Sequence, residues 1–214
     1  MTVKEAKEIT GGLSNPSKMP GKGYSLPANK CNTGRALRAC PGSVCSICYG
    51  CKGRYLFNNV EEALNKRVRS ITCSEWEDAM AFLINREKVP WFRWHDSGDL
   101  QSFEHLLRII NVCEKCPGVR FRLPTKEHSL IFKYIFEKGN FPTNLTVRLS
   151  PFFINEDMSD RLRHLPVSFS MVYDKDWHAP AGAIKCPATI SRKICGDCRV
   201  CWNSDNRLVA YKVH

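Results

Sequence analysis

The chain has 214 residues, 43% of them hydrophobic and 25% charged, and a formal net charge of +11. That length suits one large domain with a real core or two small ones. No apolar run approaches the ~20 residues that span a bilayer, and Met1–Thr10 mixes charged and apolar residues with no secretory apolar stretch. The expected setting is the cytoplasm, without membrane attachment.

Residues 11–34 are rich in Gly, Pro, Ser, Asn and Lys and read as irregular, broken by a short apolar piece, Tyr24–Ala28. Residues 35–55 read as a cysteine-rich loop. Asn58–Ser70 reads as a helix with Val60, Leu64 and Val68 on one face. A second helix is expected to start at Ser74, where Ser74 and Glu77 have capping-box spacing, with Trp76, Met80 and Leu83 as its stripe.

Strand and helix then alternate. Val89–His95 reads as a strand, Gln101–Lys115 as an amphipathic helix, Val119–Leu123 as a strand and Glu127–Lys138 as a helix. Leu145–Leu149 is a strand, Asn155 caps a short helix to Arg163, and Val167–Val172 is another strand. A second cysteine loop covers 186–201, and Arg207–Val213 closes the chain as a strand. Short strands with consecutive apolar positions suit a sheet covered on both faces. Their alternation with helices predicts parallel strands joined by right-handed crossovers. Counting Tyr24–Ala28, the reading is a single α/β domain over 1–214: a partial or small (β/α) barrel of about six mostly parallel strands.

Twelve cysteines in a chain of this length without a signal read as ligands, not as a disulfide framework. Two runs carry the argument: Cys45-Ser-Ile-Cys48-Tyr-Gly-Cys51 and Cys195-Gly-Asp-Cys198-Arg-Val-Cys201. Two-residue spacing turns neighbouring sulfurs toward one centre. Four thiolates suit tetrahedral zinc or a [4Fe–4S] cube, and triple runs are the habit of ferredoxin-type cubes. The expected ligands are Cys31, Cys45, Cys48, Cys186, Cys195, Cys198 and Cys201. Either they form two sites, or Cys45 and Cys48 share one cluster with the C-terminal group. Cys40 and Cys51 can each be spare, Cys113 and Cys116 read as incidental thiols near a helix end, and Cys73 as packing.

Ligands of parallel sheets bind at the carboxyl ends of the strands, and those ends are polar here. His95, Asp96 and Asp99 follow one strand, Thr125 and Lys126 the next, and Arg148 and Ser150 the one after. His95, Asp96, Asp99, Lys126 and Arg148 are the candidate catalytic groups, with Thr125 and Ser150 as binding groups. The competing reading of Asp96 is an ion pair with Arg148 that holds the barrel closed. The excess of positive charge attracts an anionic ligand or nucleic acid, or serves solubility alone. No helix-turn-helix or C2H2 finger pattern is present.

Several long motifs resemble the phage "gene product 88" family: Gly42-Ser43-Val44-Cys45-Ser46-Ile47-Cys48-Tyr49, Phe92-Arg93-Trp94-His95-Asp96-Ser97-Gly98-Asp99, Leu123-Pro124-Thr125-Lys126, Asn144–Ser150 and Cys195–Trp202. The resemblance covers nearly the whole chain and implies a viral protein made in a bacterial cytoplasm. The layout is also similar to the radical S-adenosylmethionine superfamily, a partial barrel whose first strand leads into a cysteine loop. That likeness implies S-adenosylmethionine as a cofactor beside an iron–sulfur cluster. The sequence departs from the superfamily's C-x3-C-x2-C: Cys40-x4-Cys45-x2-Cys48 is one residue too long and Cys45-x2-Cys48-x2-Cys51 one too short. Two functions follow as expectations. One is an enzyme whose cluster keeps an iron free of cysteine; the other is a nucleic-acid-binding protein with a purely structural metal.

Overall fold

The computed structural model describes residues 1–174, 179–180 and 182–213. Helix α1 (Val3–Thr10) opens the chain behind a complete capping box, in which Thr2 accepts from Glu5 N–H and the Glu5 carboxylate accepts from Thr2 N–H. The Thr2-x-x-Glu5 spacing signals that helix directly. Strand β1 (Gly23–Tyr24) is followed by α2 (Asn32–Leu37), α3 (Asn58–Ser70) and α4 (Trp76–Asn85). The chain then alternates through β2 (Trp91–Trp94), α5 (Phe103–Glu114), β3 (Arg120–Thr125), α6 (His128–Lys138), β4 (Leu145–Leu149) and β5 (Ser168–Tyr173). A two-residue strand, β6 (Ile184–Lys185), precedes β7 (Leu208–Lys212).

All seven strands lie in one sheet of order β1-β2-β3-β4-β5-β7-β6, and every neighbouring pair is parallel. Two expectations change. The strands number seven, because β6 joins the edge beside β7. The sheet stays open, with short strands β1 and β6 at its two edges, so it is not a closed barrel. Two local expectations also fail. The helix after Ser74 starts at Trp76 without a side-chain cap, and residues 155–163 form turns, with Asn155 in the left-handed region at φ 64°.

The two faces of the sheet differ in kind. Phe92, Trp94, Phe121, Leu123, Val147, Leu149, Phe169 and Met171 point one way and bury themselves against Trp76, Met80, Ile84, Leu106, Ile109 and Ile131 of the helices. Because side chains alternate along a strand, Trp91, Arg93, Arg122, Thr146, Arg148 and Tyr211 occupy the opposite face. The second cysteine loop covers it. Trp202 donates its indole N–H to the Phe92 carbonyl (3.0 Å) and receives Thr146 Oγ on its own carbonyl (2.9 Å). Cys186, Cys201, Trp202 and Val209 form a small separate core there. None of the described helices is long and apolar enough to cross a membrane.

Candidate functional site

The first cysteine loop leaves the carboxyl end of β1. It is tied to the loop after β2 by Leu26 N–H to the Ser97 carbonyl (2.9 Å) and Ser97 Oγ to the Leu26 carbonyl (2.8 Å). That approach requires a glycine next to Ser97. Gly98 has φ +77°, and a Cβ there would lie 2.6 Å from Leu26 Cβ. Farther on, Val44 N–H donates to the Phe152 carbonyl (2.9 Å), pinning the loop to the segment after β4, and Ser43 Oγ accepts from Ser46 N–H (3.0 Å).

These ties gather Cys31, Cys45 and Cys48. A Cβ on Gly34 would stand 3.4 Å from Cys45 Sγ and 3.6 Å from Cys31 Sγ, so both sulfurs abut the same point and a larger side chain would fill it. Burial pushes the Cys31 thiol up to about 12, and Asp99, Cys48, Cys45 and Glu127 push the same way. Cys45 is also raised, chiefly by burial, with Lys126 opposing. Cys51 is raised by burial and then by Cys48. Cys40, whose sulfur lies 3.9 Å from the Ala36 carbonyl, is not among the thiols that act on Cys31 and Cys45. All twelve cysteines are free thiols.

Asp99 is the polar centre of this end of the sheet. Its carboxylate accepts from Thr125 Oγ (2.6 Å), Lys126 N–H (2.8 Å) and Leu100 N–H (2.8 Å). Burial raises its pKa to about 6 against the pull of those three donors. Glu127 accepts from Thr33 N–H and Oγ, both at 2.9 Å, and so holds α2 and its Cys31 beside β3. Ser150 N–H donates to the Thr125 carbonyl (2.8 Å), which brings the end of β4 to the same place. The structure therefore unites Cys31, Cys45, Cys48, Asp99, Thr125 and Lys126.

It does not bring His95 and Arg148 together with them as one cluster. His95 has φ 54°, which breaks the strand alternation and turns the ring to the helix side, 5.4 Å from His105. Neither of its ring nitrogens has a partner among the described residues, and burial lowers its pKa. Arg148 lies on the opposite face with no exposure. Its donors go to five carbonyls, those of Cys201, Asn206 and Asn203 (2.9 Å each) and of Phe169 and Val200 (3.2 Å each). Asp96 pairs with Arg93 (3.1 Å), not Arg148, and accepts the hydroxyl of Tyr55 on its carboxylate and that of Tyr49 on its carbonyl. It anchors the first loop.

The second loop brings together Cys186, Cys195 and Cys201, with Cys201 bearing on both of the others; Cys198, expected with them, is not among the thiols that act on them. Burial pushes Cys201 up, yet Arg122, the Tyr211 hydroxyl (3.0 Å away), Arg148 and Arg93 outweigh it and hold the thiol below its ordinary range. Cys186 and Cys195 are raised by burial first and then by their neighbours in the set. The thiol–thiol influences on Cys31 and Cys45 come from the first loop, and those on Cys186 and Cys195 from the second. Among the described residues, no three His, Cys, Asp or Glu side chains are already gathered as they would be about a single bound ion. Cys113 and Cys116 lie fully buried in the main core.

Sequence reasoning missed Arg93, Arg122 and Tyr211 beneath the second set, and Glu127 beside the first. The two arginines carried a signal: each lies inside a strand between apolar neighbours, as Arg148 does. A family model described as Gene product 88 matches residues 1–204. No curated protein and no solved structure matches the chain.

Proposed function

The chain belongs to the gene product 88 family, and we propose that it is an iron–sulfur protein with two separate centres, the first of which receives an anionic ligand at the carboxyl ends of the strands. The observation that carries this reading is the gathering of Cys31, Cys45 and Cys48 beside Asp99 and Lys126. Cys31, Cys45 and Cys48 would hold the first group, with Cys51 next to Cys48. Cys186, Cys195, Cys198 and Cys201 would hold the second. The donor sets fit, since a cube takes thiolates and each loop supplies at least three. Bound there, such a cluster would supply one-electron chemistry and, where an iron lacked a cysteine, a position for a ligand.

The protein's own groups define that ligand. Lys126 Nζ forms no hydrogen bond among the described residues and bears on Cys45, so a carboxylate or phosphate is the natural partner. Asp99, at about 6, can give or take a proton near neutral pH. Thr125 positions Asp99. S-adenosylmethionine, with its carboxylate, belongs to this class. The bacterial cytoplasm, which keeps thiols reduced, is the setting.

The surroundings of the two sets differ. Buried carboxylates flank the first, whereas Arg93, Arg122 and Arg148 underlie the second. Positive charge favours the added electron. Cys48→Ser should remove the first centre alone and Cys198→Ser the second alone. In an electron paramagnetic resonance titration, the centre kept by Cys48→Ser should reduce at the higher potential. Loss of all iron in either variant would contradict separate centres.

A further inference from the structure

The charge on this protein is concentrated. Residues 9–60 contain seven Lys and Arg and no Asp or Glu, so about a quarter of the chain carries +7 of the net +11. This stretch includes the whole first cysteine loop. Lys30, Arg35, Lys52 and Arg54 are exposed there, and none of them forms an ion pair among the described residues. A solubility role asks only for dispersed charge of both signs. It does not explain a stretch of sequence without a carboxylate.

Apolar side chains stand among these cations. Leu56 is 62% exposed, Phe57 57% and Tyr49 51%. The Tyr49 ring is held by its contacts, and Phe57 by its backbone. The Tyr49 hydroxyl donates to the Asp96 carbonyl and meets Arg93 Nη2 (3.4 Å), and its ring lies 6.0 Å from that of Tyr55. The Phe57 carbonyl accepts from Val60 and Glu61 N–H (2.9 Å each), fixing Phe57 at the start of α3. Exposed rings on rigid backbone, set among unpaired cations, have the two properties that bind single-stranded nucleic acid: cations for phosphates and flat faces for unstacked bases. A duplex offers no free base faces, and Tyr49, Lys52 and Arg54 lie on and between single turns, not on a helix that could enter a major groove.

We propose that the surface of the first cysteine loop, around Lys52, Arg54, Tyr49 and Phe57, binds single-stranded nucleic acid. The proposal is independent of the metal reading. The test is fluorescence anisotropy of the full anaerobically purified chain with labelled 20-nucleotide DNA and RNA, single-stranded and duplex, and with vesicles containing phosphatidylglycerol as a second probe. Four phosphate contacts give a salt slope of about −3, so single-strand affinity should fall about 50-fold between 50 and 200 mM salt. Phe57→Ala should weaken it roughly tenfold with little change in slope, and Phe57→Tyr should retain it. Lys52→Glu with Arg54→Glu should make the slope shallower by about 1.4. Tighter binding of duplex, binding to vesicles alone, no binding at 50 mM salt, or a Phe57→Ala protein that melts normally and binds like the parent would each overturn the proposal.

Discussion

Replacing Arg148 with Met should destabilise the protein by about 4 kcal/mol and remove the second centre while leaving the first. Arg148 is the hub on which the second cysteine loop is built. Five carbonyls accept from it, four of them in the loop and its exit, residues 200–206. The guanidinium is wholly buried, so methionine fills much of the space but takes a donor from each carbonyl. Of those in the loop, Val200 alone is seen to keep others among the described residues, Asn203 N–H and Asn206 Nδ2. Each orphaned buried acceptor costs about 1–3 kcal/mol where water cannot replace the donor, and removal of one side of a buried charged network costs about 3–5 kcal/mol. Partial relaxation of the loop keeps the sum near the lower figure. Arg148→Lys should recover only part of the loss, because an ammonium offers three donors where the guanidinium offers five. Urea unfolding measures the loss, and iron content reports the centre. An Arg148→Met protein with unchanged midpoint and full iron would show that the hub does not hold the loop.

Acid should destabilise the fold through the buried histidines, and His105→Gln should relieve much of that effect. Burial, then Arg108, lowers the His105 pKa to about 3, and burial, then His105 and Arg93, lowers His95 in the same direction. Below the unfolded value of 6.5 the unfolded chain takes up a proton that folded His105 refuses until about pH 3. Stability therefore falls as pH falls through that window, by about 1.4 kcal/mol per pH unit for His105. At pH 5 this amounts to about 2 kcal/mol. Asp99 works the other way. Its pKa is raised from 3.8 to about 6, so the folded state holds a proton there and gains stability as pH falls through that range. The test is the change in unfolding free energy between pH 7 and pH 5, parent against His105→Gln. The variant should lose about 2 kcal/mol less, and equal losses would show that His105 is solvated or already partnered.

What the sequence made readable is what local chemistry decides. The strand–helix alternation from β2 onward, the parallel sheet and the two cysteine loops follow from periodicity and spacing. Polar strand ends were readable as a group, and Asp99, Thr125 and Lys126 do converge. The alternation of Leu145, Val147 and Leu149 already requires Arg148 to face away from their core. What covers it is set by a loop some fifty residues later, which no local pattern encodes. His95 went astray for a different reason: one residue at φ 54° inverts the side to which a strand end points. The open sheet was hidden by the shortness of its edges, since β6 is two residues long and carries almost no periodic signal.

The most direct test of the account is the composition of the native protein, purified without exposure to oxygen. Iron and acid-labile sulfide should be present in about equal amounts, with roughly four of each per centre if both are cubes, and Mössbauer spectra should resolve two environments. Stoichiometric zinc without sulfide in such a preparation would contradict the iron–sulfur reading of both cysteine loops.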